Sequence, residues 1–159
     1  RLVGSEMCIR DSPMHGAGII QKIEEKKILG EVKQYYILKL PCNDMNVMIP
    51  VDSEQSVGIR EIVDESAVRS AIEILREHST AMDRNWNRRY RENMQKLKTG
   101  DILVVAEVVR NLIRAGRQKS LSAGETKMLN NAKQILVSEI ILSCNISKAD
   151  AERLIEDAV

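Results

Sequence analysis

Phenylalanine is absent from this 159-residue chain, and the aromatics number only four: Tyr35, Tyr36, Trp86 and Tyr90. So few rings argue against a sheet platform on which unpaired bases stack. Cysteine is scarce and odd in number, with Cys8, Cys42 and Cys144 far apart and no CxxC pair. The two histidines, His15 and His78, sit near no second ligand. A disulfide scaffold and a zinc site are therefore not expected, and the cysteines fit a reducing compartment. No apolar run approaches about 18 residues, so no membrane-spanning helix is expected. No charged n-region followed by an apolar h-region opens the chain, so no secretion signal is expected either. Gly16-x-Gly18 lacks the third glycine and the following helix of a dinucleotide loop, and no Walker pattern occurs. The carboxylates are scattered, with no pair singled out for acid–base work. An enzyme is not expected, nor is a cofactor.

What is present is an ordinary globular composition, 43% hydrophobic and 30% charged, with a formal net charge of only +1. That small total hides an uneven distribution. Asp44 to Glu65 and the last turns are acidic, whereas Asp83 to Asp101 carries Arg84, Arg88, Arg89, Arg91, Lys96 and Lys98 against Glu92 between the two aspartates. Such asymmetry points to a polyanionic partner on one face.

The chain divides near Asp64. Arg1 to Ser12 shows neither strand nor helix period, begins without Met, and resembles a translated adapter sequence; residues 1–12 are expected to be a non-native or disordered prefix. From Pro13 the sequence reads as short strands at hairpin spacing. Gly16-Ala-Gly18 is a turn, Ile19 to Glu24 alternates in part, and Lys27-Ile-Leu-Gly30 is a hairpin connection. Val32 to Leu40 is the strongest strand, Pro41 to Asp44 a turn, Met45 to Ile49 a short strand and Val57 to Arg60 a last one. These make a small, strongly bent sheet or barrel over residues 13–63. After Ile62 the period changes to 3.6. Val68, Ala71, Ile72 and Leu75 share one face; His78 to Thr80 breaks the helix; Asp83 is the expected N-cap of the next. Thr99-Gly100 closes that helix and Asp101 caps a third, striped with Ile102, Val105, Ala106, Val109, Leu112 and Ile113. Ser122-Ala-Gly-Glu125 is a capping box before a long helix. Ser147 opens a final short one. Residues 64–159 are thus a compact five-helix domain, and the fold class is α+β.

Trp86 admits two readings. With Tyr90, Met94 and Leu97 it falls on a helical stripe, which is the pattern of core packing. At the start of a helix and among cations it is also placed to be an exposed wedge between base steps. The arginines are likewise either a solvated face or phosphate contacts, and the near absence of local carboxylates supports the second.

Pro13-Met-His-Gly16, Tyr36-Ile-Leu-Lys39, Val57-Gly-Ile-Arg60, Asn85-Trp86-Asn-Arg88-Arg89-Tyr90, Lys96-Leu-Lys-Thr-Gly-Asp101, Val105-Ala-Glu-Val-Val-Arg110, Leu121-Ser-Ala-Gly-Glu125 and Met128-Leu129 follow one another in an order that resembles the CarD/CdnL family of bacterial transcription regulators. The resemblance runs from Pro13 to the C-terminus. It implies a Tudor-like antiparallel barrel that docks on the β subunit of RNA polymerase. It also implies a helical domain that binds double-stranded promoter DNA in the minor groove near the −10 element, at the upstream edge of the bubble. Trp86 is then the wedge, with Arg88, Arg89 and Arg91 around it on the DNA, and the effect is a stabilised open complex. The expected protein is monomeric, free of cofactor and metal, and cytoplasmic in a bacterium, at the nucleoid. The alternative is a stand-alone nucleic-acid-binding module without a polymerase partner. Two departures stand out. The prefix occupies the place of the family's first strand, so that strand is expected to be missing and its sheet edge unpaired. Positions that often hold polymerase-contacting arginines hold Lys26 and Met48 here, and only Lys26 keeps the charge.

Overall fold

The computed structural model describes residues 6–9, 17–40, 45–51 and 59–159. The expected turn at Pro41 to Asp44, along with His15, Gly16, Cys42, Val57 and Gly58, lies outside the described residues. The turn expected over Gly16-Ala-Gly18 is corrected at its last two residues: Ala17 and Gly18 already belong to a strand and pair with Cys8 and Met7, because a glycine next to a close neighbouring strand serves extended backbone as well as a turn. Among the described residues five strands come first: β1 (Glu6–Ile9), β2 (Ala17–Ile28), β3 (Glu31–Lys39), β4 (Asn46–Pro50) and β5 (Ile59–Glu61). Five helices follow: α1 (Glu65–Arg76), α2 (Trp86–Lys98), α3 (Ile102–Gln118), α4 (Ala123–Cys144) and α5 (Lys148–Ala158). The protein is α+β, as its sequence period implies.

The strands form one antiparallel sheet in the order β4-β3-β2-β1-β5. Its backbone corrects the expectation of a missing first strand. Glu6–Ile9 lies between β2 and β5, with Met7 opposite Gly18 on one side and Glu61 on the other. The edge expected to be bare is therefore paired, because a backbone ladder needs only N–H and C=O groups, which any sequence supplies.

The β2–β3 hairpin is closed by Leu29 and Gly30, both at positive φ (54° and 85°). Two such residues between Ile28 and Glu31 make the tight turn whose twist matches the strands. Gly30 suits that conformation; Leu29 adopts it while fully exposed at the tip. A register shift between Ile20 and Lys22 bends β2. Beside it Gly18 passes so close to β3 that a Cβ would meet Leu40 Cδ2 and the Lys39 carbonyl at 3.0 Å.

Cross-strand partners point to the same side of a sheet. Ile20, Tyr36, Leu38 and Ile49 thus share one face and form a small buried cluster. The opposite face carries Lys22, Glu24 and Lys26 of β2, and Met48 falls on it through its pairing with Ile37.

The larger core lies among the helices. Val68, Ala71 and Leu75 of α1 meet Val105, Val109 and Leu112 of α3 and Ala132, Leu136 and Ile140 of α4. Asp64, Asp101, Ser122 and Ser147 each cap a helix through a side-chain oxygen. Arg110, 1% exposed, donates to the Ile74 carbonyl at 2.9 Å and to Asn111 Oδ1 at 3.1 Å. Arg114 donates to the carbonyls of Leu75 and Glu77. Two guanidinium groups thereby donate to carbonyls at the end of α1, where the helix dipole favours positive charge. They also fix where the irregular link to α2 begins. No described helix is long and apolar enough to cross a membrane.

The sheet rests on α4. The Ala17 N–H, fully buried, donates to Ser138 Oγ at 2.8 Å, and Ser138 donates onward to the Ile135 carbonyl at 2.8 Å. Ser143 Oγ donates to the Val63 carbonyl at 2.8 Å. Replacing Ser138 by Ala strands the Ala17 donor in a dry contact. We expect the full chain to lose about 1–3 kcal/mol, read as a lower urea midpoint, and an unchanged midpoint would contradict this role.

Candidate nucleic-acid interface

Helix α2 begins at Trp86 behind an N-cap supplied by Asn85, whose Oδ1 accepts the Arg88 N–H at 3.1 Å. Asp83, the residue expected there, acts one step earlier. Its Oδ1 accepts the Asn85 N–H at 2.8 Å and its Oδ2 accepts Arg88 at 3.3 Å. Asp83 thus folds the approach to the helix and leaves the cap to the next polar residue in line.

The stripe from Trp86 to Leu97 is real but graded. Leu97 is buried and Tyr90 and Met94 are half-buried, while Trp86 is 42% exposed. The stripe runs out of core at the helix start. Both readings of Trp86 therefore hold in part: one portion of the indole packs and the rest faces solvent. Tyr90 stacks on it with ring centroids 5.1 Å apart and an interplanar angle of 22°. Gly124 lies against both rings, close enough that a Cβ there would meet each at 3.4 Å. The indole Nε1–H donates to Ser122 Oγ at 2.9 Å.

That hydroxyl is fully used. Ser122 Oγ also accepts the Glu125 N–H at 3.2 Å, which is the α4 cap, and donates to Glu125 Oε2 at 3.2 Å. Glu125 in turn accepts the Arg89 Nε–H through Oε1 at 2.6 Å, with both side chains largely buried. Arg89 Nη1 donates to the carbonyls of Asp83 (3.0 Å) and Arg84 (3.3 Å). A continuous set of bonds thus runs from Trp86 through Ser122, Glu125 and Arg89 to the chain just ahead of Trp86.

The cations separate into two groups. Arg89 and Lys96 are committed, the latter to Glu107 at 2.9 Å. Arg84, Arg88, Arg91 and Lys98 are exposed, and Arg88 keeps 70% of its side-chain surface beside Asp83. Arg91 has no side-chain partner among the described residues. The first turn of α2 contains no acidic residue, although this is the end where the helix dipole is positive and carboxylates are favoured. Lys26 is exposed on the sheet and lies 3.8 Å from Glu24. In the sequence Arg89 groups with Arg88 and Arg91. Its partner, Glu125, lies 36 residues away and was legible only as one half of the capping box.

Burial raises the Glu125 pKa, but the Arg89 hydrogen bond, the Ser122 N–H and the Arg89 charge outweigh it and hold the carboxyl below its ordinary value. A depressed folded pKa contributes stability above the unfolded pKa and loses it as pH falls. At neutral pH we expect Glu125→Gln to cost roughly 1–3 kcal/mol. In thermal melts its gap from wild type closes as pH drops below about 4.3, the unfolded glutamate value. A gap that persists under acid would contradict the pairing.

The geometry defines an α+β protein in which a small sheet rests on a helical bundle that displays a half-exposed tryptophan among free cations. The family model described as "CarD-like/TRCF RID domain" matches residues 13–63, and that described as "CarD, C-terminal domain" matches residues 70–156. The chain is 44% identical over 128 residues to a Bacillus subtilis (strain 168) protein named "Putative transcription factor YdeB", covering 80% of this chain and 84% of that one. The chain belongs to the CarD family of transcription regulators, and its sheet module is of the Tudor-like kind.

Proposed function

We propose that this protein tethers to the β subunit of bacterial RNA polymerase through its sheet and binds promoter DNA through the start of α2. The Trp86 ring enters the minor groove at the upstream edge of the bubble, near the −10 element. Bound there as a monomer in the bacterial cytoplasm, at the nucleoid, it stabilises the open complex without chemistry of its own. Membership in a transcription-regulator family supports the setting. The observation that carries the DNA role is the 42% exposed Trp86, with Arg88 in the same acid-free first turn and Arg91 shortly after it. An exposed apolar wedge gains contact where base steps are already unstacked, and cations secure the adjacent phosphates. A ligand that binds one of two states shifts the population toward that state.

The site residues take different roles. Arg88 and Arg91 contact the backbone. Arg89 holds the site together, with its Nε on Glu125 and its Nη1 on the Asp83 and Arg84 carbonyls, and meets DNA through the remaining edge of its guanidinium. On the sheet, Lys26 and Met48 share the face opposite the small core, and that face is the polymerase-docking side, with Lys26 as its charged contact.

The test is the lifetime of open promoter complexes after competitor challenge. Wild-type protein lengthens it, and Trp86→Ala removes most of that gain while costing the fold only roughly 1–3 kcal/mol, the sum of one ring pair and one hydrogen bond. A wild-type protein that binds DNA yet leaves the lifetime unchanged favours a stand-alone nucleic-acid module. A collapse of the Trp86→Ala fold would refute the wedge. Arg88→Ala combined with Arg91→Ala weakens DNA binding evenly across sequences and lowers the slope of log K against log salt by up to about 1.8, near 0.9 for each phosphate that is no longer neutralised. An unchanged slope counts against both arginines as phosphate ligands.

A further inference from the structure

Beside the indole lies a cleft of about 480 Å3. Its walls come from the link ahead of α2, the first turn of α2, the end of α3 and the α3–α4 connection, with Trp86 on one side and Arg84, Lys119 and Ser120 among its lining. Two carboxylates also line it, Asp83 and Glu125, and both are occupied: Asp83 by the Asn85 N–H and Arg88, Glu125 by Arg89 and Ser122. Arg89 is engaged in the same network through its Nε and Nη1. Arg84 and Lys119 are exposed and have no side-chain partner among the described residues. The cleft therefore holds two uncompensated positive charges.

Helix electrostatics accounts for one of them. Lys119 is the C-cap of α3, where the dipole alone favours a cation. Arg84 is placed against that rule. It directly precedes the N-cap of α2, the positive end of a helix whose first turn already carries Arg88 and Arg89. An arginine there raises the local positive potential, and an arriving anion would be attracted to it.

We propose that this cleft is a second phosphate-binding site of the DNA interface. A phosphodiester of the strand running past Trp86 enters it, held by the Arg84 fork and the Lys119 ammonium, with the Ser120 hydroxyl at hand. Cations then flank the wedge from two separate parts of the fold: Arg88 and Arg91 on α2, and Arg84 with Lys119 across the cleft. This rests on the DNA-binding reading above. It adds that α3 and its exit loop take part in the grip, which the α2 sequence alone does not suggest.

The experiment uses the full chain and a promoter-derived duplex, with affinity measured across a potassium chloride series. Arg84→Ala with Lys119→Ala lowers the slope of log K against log salt by up to about 1.8. It leaves the Trp86 emission change at saturating DNA in place. A control pair on the far charged faces, Arg69→Ala with Arg153→Ala, leaves the slope at the wild-type value. An unchanged slope in the cleft variant overturns the proposal, as does an equal fall in the control, which would reduce the effect to net charge. Should Trp86→Ala and the Arg88/Arg91 variant weaken binding while the cleft variant does not, the cleft proposal alone fails. Should wild-type protein bind no DNA, the parent reading fails with it.

Discussion

One serine hydroxyl holds the candidate interface together. Ser122 Oγ accepts from the Trp86 indole at 2.9 Å and from the Glu125 N–H at 3.2 Å, and its own proton goes to Glu125. All three bonds of that hydroxyl are made within the protein. The indole is tied to the start of α4, α4 is capped by the same atom, and the cap's carboxylate grips Arg89 of α2. The half-exposed indole is thereby anchored to a helix cap. A side chain tied down this way has less rotamer freedom to lose on meeting a partner.

Charge placement follows from the same network. By absorbing Arg89 into the interior, Glu125 leaves Arg88 and Arg91 outside without a matching acid, and Asp83 answers only part of Arg88. The start of α2 is then a helix N-terminus carrying positive side chains on top of a positive dipole end. For an isolated protein that is mildly unfavourable. For one facing a polyanion it stores attraction, released with counterions when phosphates arrive. The sheet, seated on α4 through Ala17 and Ser138, is joined to this surface through packed structure, so a partner on the sheet would orient the tryptophan as well.

Much of the fold was legible. The change of period after Ile62, the stripe of α3 and the Ser122 capping box each rest on local rules that hold one turn at a time, and each element lies where its period placed it. Non-local facts were not legible. The pairing of Glu6–Ile9 with β2 and β5 depends on backbone alone, so a segment without side-chain period gave no sign of it. Asn85 displaced Asp83 as the cap because both can serve and only the chain's path decides. At the site, the cluster of cations and the lone tryptophan were visible. The sorting of those cations was not, since Glu125 reaches Arg89 from another helix. Periodicity placed Trp86 on a buried stripe, yet it could not say where the stripe leaves the core.

Trp86 is the chain's only tryptophan, so its fluorescence reports the wedge without labelling. The most direct measurement titrates the full chain with two DNAs of one promoter sequence, fully paired or carrying an unpaired bubble whose upstream edge lies at the −10 element. The account predicts tighter binding to the bubble DNA with a larger quench of Trp86 emission, because an unstacked step admits the ring. Equal affinity and equal emission for the two DNAs would contradict it.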